Sequence, residues 1–597
     1  MADLSGRSGA VILHELRELA RREGLVDDPA FESKPVRWII VLDEDGSYLS
    51  LRDTEQEVPL PEGKKGKPKR QASMYGIPRR MGRTSKAVPD FLVDKSEYVL
   101  GAEPDDKRSM EDLKARRKLF ADLLNEAAES AQSEAGKAVS KFLANDAERE
   151  RCASEIAERG YAGNDLLTFR VDGAMLHDDE TLRTWWRQRG ASGTTENAAI
   201  TRQCLLCGES RPSVDKHDAL QIAGAVTSGV SLVTFNSAAF EKYGLERNDN
   251  APICRECMTA YVEGLRRLIN SRYISARTGD PVTPQNVRLT GDTTAVYWAN
   301  VQDELTSLLS ELMYSPQKVR DLLNSPHRGQ HSSSANERFF CLIISGAQGR
   351  AMLRSMHTGT LSDLEKNLNR YFDAIRLEGD RGEPKPLGFL LRSLVLQGKL
   401  DRLPPRLAGE VFFGILFGEK LPQLVLSAAV QRNRAEQKVT PERAALLQLF
   451  FASHQQKEVP LMSLDAQSTD APYRLGRLLS TYEQLQRRAQ GGNLNRTLVD
   501  RYFGAASTRP GTVFPQLVRL SQNHLGKLGP AGGFYQSLIT GIVDGIDNFP
   551  AMLTLEEQGR FALGYYHQRQ SFFRSNKKEE NDATEPTTDT SEGENIQ

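Results

Sequence analysis

The sequence has no long apolar run. The longest, Val411 to Gly418, covers eight residues, against the roughly 18–20 that a membrane-spanning helix needs. Met-Ala-Asp-Leu-Ser-Gly-Arg at the start has no apolar segment before a cleavage-like site, so no secretory signal is expected. Cysteine is scarce, six in 597 residues, too few for a disulfide-stapled scaffold. Together these absences give a cytoplasmic expectation. Net charge is nearly absent as well: 78 Lys and Arg balance 79 Asp and Glu, for a formal charge of −1. That sum leaves a nucleic-acid partner open, because a phosphate backbone responds to local patches and not to totals. No HExxH, GxSxG or kinase set occurs.

What remains can bury several cores, at 39% hydrophobic and 26% charged. Length suggests roughly four domains at about 150 residues each. A short helix is expected around Ile12, Leu13, Leu16, Leu19 and Ala20, stopping at Gly24. A hairpin follows: strand Val36–Leu42, turn at Asp45-Gly46, return strand Ser47–Leu51. Residues 60–90 lack periodicity and read as a loop, and 110–160 reads as one or two long helices. Strands are expected at Leu166–Val171 and Ser231–Phe235. Residues 295–460 read as largely helical. A low-order stretch at 455–472 precedes a C-terminal helical bundle, and 576–597 reads as an acidic disordered tail.

The expected fold class is therefore α+β, with mixed α/β N-terminal and central regions and a C-terminal all-α bundle. The expected divisions are 1–100, 101–165, 166–290, 291–460, 461–575 and 576–597.

One segment concentrates positive charge. Lys64, Lys65, Lys67, Lys69, Arg70, Arg79, Arg80, Arg83 and Lys86 fall in 23 residues with no acid among them. Glycine and proline break the stretch, so it is not the solvated face of a helix. Such cations can lie along phosphates and release counterions, and Arg or Lys can reach groove edges. A surface loop without a partner is the plain alternative.

Two cysteine pairs, Cys204-x-x-Cys207 and Cys254-x-x-Cys257, have metal-knuckle spacing. Four thiolates complete a tetrahedral site, and structural zinc is the expected occupant. A redox role would use one such pair at a helix start, not two distant ones. Cys152 and Cys341 stand alone and read as buried small side chains. His217, near the first pair, reads as a surface histidine.

Weaker signals remain. Ser345-Gly-Ala-Gln-Gly-Arg350 looks like a turn feeding a helix N-terminus, but it lacks the Gly-Lys-Ser/Thr of a phosphate loop. His177-Asp178-Asp179 is similar to the metal-binding pair of phosphohydrolases, and a metal-dependent phosphohydrolase or nuclease is the alternative function. A helix cap before Thr181-Leu-Arg183 explains the same residues. Between Met462 and Phe573, cations including Arg474, Arg477, Arg487 and Arg488 accompany an apolar stripe, Leu475, Leu478, Leu479, Tyr482 and Leu485. The segment is either a neutral helical module or a bundle with an arginine face along a single strand.

Several long blocks resemble one family over essentially the whole chain. They are Ile12–Leu19 with Pro35–Trp38, Gly82–Ser85 with Pro89–Leu92 and Tyr98–Gly101, and Gly229–Asn236 with Phe240–Gly244 and Asn250–Pro252. The most specific are Tyr473–Arg477, Asp500–Ser507, Leu520-Ser521 and Gln558–His567. These resemble the large subunit of the type I-C CRISPR surveillance complex (Cascade). The resemblance implies a non-catalytic subunit that recognises the motif flanking a target in double-stranded DNA (the PAM) and promotes R-loop formation. It also implies that the subunit steadies the displaced single strand and recruits a helicase-nuclease in trans, while guide RNA carries the sequence specificity. The implied partners are the guide RNA with its backbone and RNA-processing subunits, and a small subunit from the same gene. Met462 is the position expected to start that shorter product. The four cysteines lie outside what the resemblance supplies, so the metal rests on their spacing.

Overall fold

In the computed structural model, the described residues run from 8 to 582. They omit 27, 29, 59–68, 80–86, 103–107, 192–200, 227–228, 236, 242, 271–282, 326–334, 348, 378–382, 405, 455–462 and 492–493. The chain forms two compact units, one of residues 1–220 and 231–284, the other of 221–230 and 285–597.

The first unit opens with helix α1 (Ser8–Arg22), then six strands: β1 (Phe31–Pro35), β2 (Trp38–Leu42), β3 (Tyr48–Asp53), β4 (Gln56–Val58), β5 (Lys69–Gln71) and β6 (Met74–Pro78). β2 and β3 form the expected hairpin, closed by Gly46 at φ +86, a backbone angle that glycine adopts without steric penalty. The expected loop at 60–90 is partly sheet. β5 pairs with β4, and β6 pairs with β1. β5 is only three residues long, and the partner of β6 lies far back in the sequence, so no local alternation marks them.

The run of helix formers at 110–160 yields three helices after β7 (Asp94–Lys95) and α2 (Ser96–Val99): α3 (Met110–Ser130), α4 (Glu134–Ala144) and α5 (Asp146–Glu158). Caps divide them. The side chains of Ser109, Ser133 and Asn145 accept from the N–H groups of Asp112, Gly136 and Glu148, satisfying donors that the helices leave unpaired. β8 (Leu166–Val171) matches the expected strand and lies parallel to β2; β9 (Ala174–Met175) pairs with it. The sheet order is β3-β2-β8-β7. Trp38, Phe120, Phe142 and Phe169 pack in one core with it. α6 (Glu180–Ala191), the hairpin β10 (Thr201–Gln203) and β11 (Ser210–Pro212), and α7 (Arg255–Ile269) follow. Of the strand expected at 231–235, only Ser231 is in a strand; Ala219–Leu220 and Val230–Ser231 are β12 and β13.

The second unit corrects the helical expectation for 295–460. It holds a four-stranded antiparallel sheet, β14 (Asn286–Arg288), β15 (Thr293–Ala299), β16 (Arg338–Ala347) and β17 (Arg350–Thr360). Every residue of β15 is buried, so its sequence shows no alternation of apolar and polar positions, and periodicity cannot separate it from a buried helix. The helices are α8 (Glu304–Leu308), α9 (Pro316–Leu323), α10 (Leu361–Ala374), α11 (Leu387–Arg392), α12 (Leu407–Phe417), α13 (Gln423–Glu436) and α14 (Pro441–Ser453). α12 contains most of the longest apolar run, and it is a core helix ending at Gly418, φ +68.

The C-terminal helices are α15 (Ala471–Gln490), α16 (Val499–Ala506), α17 (Pro510–Leu528), α18 (Gly533–Val543) and α19 (Leu555–Asp582). An α+β chain with a C-terminal helical region is what the structure shows. Of the tail expected at 576–597, residues 576–582 are helical, because α19 continues to Asp582; 583–597 lie outside the described residues.

α15 and α19 pack backbone to backbone. A Cβ at Gly476 would lie 2.0 Å from the Phe561 carbonyl oxygen, and one at Gly564 would lie 2.0 Å from that of Tyr473. Glycine at both positions permits this approach. Tyr473 Oη and His567 Nδ1 are 3.0 Å apart, and Arg560 Nε donates to Asp470 Oδ2 at 3.1 Å. Among described residues, no helix is long and apolar enough to cross a membrane.

Candidate metal centre and basic segment

The first knuckle sits between two strands. β10 and β11 pair in register Gln203↔Ser210, and Cys204 and Cys207 occupy the connection. Gly208 N donates to Cys204 O at 2.9 Å, and Gly208 turns at φ +76. The second knuckle is a helix start: Cys254 is the residue before α7 and Cys257 lies in its first turn. Leu205 N donates to Pro252 O at 2.9 Å, and Val214 N to Ile253 O at 3.0 Å. These bonds bring the two knuckles together across 46 intervening residues.

The four sulfur atoms all lie within 4.8 Å of one another. Cys204, Cys254 and Cys257 are buried, and Cys207 is half-buried. Cys204 Sγ accepts from Leu206 N at 3.5 Å and from Cys254 N at 3.4 Å. The hydrogen bond between Cys257 and Cys254 lowers the Cys254 thiol, against the effect of burial, and raises that of Cys257. Four convergent sulfur donors and N–H groups aimed at sulfur form a site that fits a metal ion. Cys152 and Cys341 are buried, as expected, and burial raises both thiols.

His217 corrects its reading as a surface residue. It is buried against Tyr261 of α7, and burial lowers its pKa to about 4.

The basic segment is rooted in the same unit. It begins past β4, includes β5 and β6, and ends before Ala87. Lys64, Lys65, Lys67, Arg80, Arg83 and Lys86 lie outside the described residues. Lys69 is on β5, opposite Val58. Arg70, opposite Glu57, has a side chain 57% exposed and lies 3.9 Å from the Glu55 carboxylate. Arg79 is different. Its side chain is 8% exposed, pairs with Asp218, and donates to Phe31 O at 3.3 Å. Asp218 lies between the knuckles in sequence, so Arg79 fastens one root of the basic segment to the metal-binding part of the unit.

The bundle arginines divide as well. Arg477 is buried and donates to Gln568 Oε1, Asp465 O and Ala466 O at 3.2, 3.2 and 3.0 Å. Arg474 donates to Ser468 O and to Ile542 O. Both therefore hold the fold together where the sequence suggested an arginine face. Arg487 pairs with Glu483 at 2.9 Å, and Arg488 is exposed. Met462 lies outside the described residues.

His177 is buried, its Nδ1 3.3 Å from Thr168 Oγ1. Asp179 Oδ1 accepts from Thr181 N and Leu182 N at 2.9 and 3.3 Å, so it starts α6. Burial alone would raise the Asp179 pKa; bonds from Ser133, Thr181 and Leu182 hold it below the usual range. These residues are engaged as core and cap. Among the described residues, the four cysteines are the group whose donor atoms converge. Ser345–Arg350 feeds a strand and not a helix: Ala347 pairs with Arg350 across the β16–β17 turn, with Gly349 at φ +81.

One residue escaped the sequence reading. Arg17 on α1 donates to Leu206 O at 2.5 Å and lies 3.7 Å from Cys257 Sγ. The signal was its place on the apolar face, four residues after Leu13 and three before Ala20.

A family model for a CRISPR-associated protein (Cas_Csd1) matches residues 13–573. The chain belongs to that family. No curated protein matches it. For this CRISPR-associated protein, two of the blocks that carry the sequence resemblance acquire a physical meaning. Tyr473–Arg477 and Gln558–His567 face each other across α15 and α19, and supply Gly476, Gly564, Tyr473, Arg477 and His567 to that contact.

Proposed function

We propose that this CRISPR-associated chain is the non-catalytic, cytoplasmic large subunit of a type I-C surveillance complex. It reads the motif flanking the target in duplex DNA, promotes R-loop formation and steadies the displaced strand. It recruits a helicase-nuclease in trans, while guide RNA pairing supplies sequence specificity. Family membership over residues 13–573 supports this role. The observation that carries the DNA contact is the acid-free basic segment, with Arg70 exposed on β5 and Arg79 anchoring its root. Lys64, Lys65, Lys67, Lys69, Arg70, Arg80 and Arg83 meet the duplex in this reading, and Arg487 and Arg488 meet the displaced strand. Arg79, Arg474 and Arg477 position those contacts and do not make them.

The ion suited to the four cysteines is zinc, since soft thiolates in tetrahedral number select it. When bound, it would cross-link the two knuckles; it takes no part in chemistry. Translation from Met462 would begin a product carrying α15–α19, the small subunit of the same complex. Met462→Leu removes that product and spares the full-length chain if this is so.

The test is a double charge reversal, Lys69→Glu with Arg70→Glu, in the complex assembled with guide RNA. Target-duplex binding at physiological salt is expected to weaken by about 10- to 100-fold, from reduced counterion release. Binding equal to wild type contradicts the assignment.

A further inference from the structure

A divalent ion on four thiolates carries a net charge of about −2, and burying it requires donors or cations around the sulfurs. Two backbone N–H groups serve Cys204. Cys257 Sγ has a side-chain neighbour from another element. The Arg17 guanidinium reaches it at 3.7 Å from a residue 240 positions earlier. Arg17 is 6% exposed. The same Nη1 donates to Leu206 O in the first knuckle, at 2.5 Å. One guanidinium thus touches both knuckles, while Nε and Nη2 are held by Glu18 Oε1 at 3.0 and 2.8 Å.

α1 lies against α7 along its length. A Cβ at Gly264 would sit 2.3 Å from Leu16 O, so the helices approach as closely as glycine allows. Leu16, Leu19 and Ala20 are buried, and Glu23 pairs with Arg267 at 2.9 Å.

We propose that the four-thiolate site, holding a zinc-type cation, is a latch for the N-terminal helix. Arg17 offsets the thiolate charge and joins the knuckles, and metal occupancy and α1 docking stabilise each other. The coupling is reciprocal by linkage: what loosens α1 speeds metal loss, and metal removal releases α1. Arg17 is a positioning residue that acts through Cys257 and Leu206. The inference rests on the metal reading above.

The experiment uses the full-length protein and two readouts: metal release to a chromogenic zinc chelator, and tryptic cleavage after Arg21 and Arg22 in α1. Wild type is expected to hold about one zinc per chain and to resist cleavage until chelator is added. Arg17→Leu should release zinc about 10- to 100-fold faster, the usual cost of removing a residue that supports a metal ligand, and should expose α1 while zinc is still bound. In cobalt-substituted protein, Arg17→Leu should shift the thiolate-to-metal charge-transfer band, which loss of packing alone does not move; Arg17→Lys should restore it in part. Gly264→Ala touches no metal donor, displaces α1, and should also speed zinc loss.

A folded wild type without metal overturns both the metal reading and the latch. Bound zinc that Arg17→Leu releases at the wild-type rate, with α1 still protected, overturns the latch alone. So does chelation that leaves α1 resistant, or Gly264→Ala that frees α1 without changing zinc release.

Discussion

Arg70 stands on a short strand with its side chain 57% exposed, whereas Arg477 sits at 3% exposure in the middle of α15. Both belong to clusters of cations in the sequence, and burial separates them. The strand places Arg70 3.9 Å from the Glu55 carboxylate with more than half of its side chain exposed. The helix turns Arg477 inward, where two carbonyls and a glutamine side chain take its N–H groups. An exposed arginine is available to a phosphate. A buried one is already engaged, because removing it strands the carbonyls it serves. Charge density therefore points to a nucleic-acid surface only where the backbone keeps the cations outside.

Three changes sharpen this contrast, in falling order of effect. Gly564→Ala places a Cβ 2.0 Å from the Tyr473 carbonyl oxygen. It should destabilise the C-terminal helices by about 3 kcal/mol or more. Thermal unfolding that matches wild type would remove the close α15–α19 contact from the account.

Acid should act next. Burial lowers the His567 and His217 pKa values to about 4, against about 6.5 in an unfolded chain. The unfolded state binds the proton first, so this stability is complete above pH 6.5 and is lost as pH falls toward 4. Each histidine should contribute on the order of 3 kcal/mol across that window. His567→Gln should flatten its part of the pH–melting curve for the second unit; an unchanged slope would contradict the burial.

Arg477→Met is the smallest of the three. It leaves Asp465 O and Ala466 O without their partner and should cost about 1–3 kcal/mol. A stability equal to wild type in chemical denaturation would return Arg477 to the cations available for a ligand.

Features with local chemistry were legible. Asp45-Gly46 marks a hairpin because the turn needs glycine's positive φ, and Leu166–Val171 is a short, mostly apolar run that includes Thr168, Phe169 and Val171. The doubled Cys-x-x-Cys spacing foretold four sulfurs at one point. What was hidden depends on distant partners. β15 and β16 are buried on both faces, so no alternation distinguishes them from helix. β6 exists because Phe31–Pro35 pairs with it. Arg17, Arg79 and Arg477 look like surface cations until Cys257, Asp218 and Gln568 are placed beside them.

The central claim is that the basic segment, and not the inward-facing bundle arginines, meets target DNA. Its most direct test is the salt dependence of duplex binding by the assembled complex. Lys69→Ala with Arg70→Ala should lower the slope of log K against log salt by about two, roughly one for each phosphate no longer neutralised. Arg477→Gln should lower the melting temperature and leave that slope unchanged. A wild-type slope in the first variant, or a fall of about one in the second, would contradict the account.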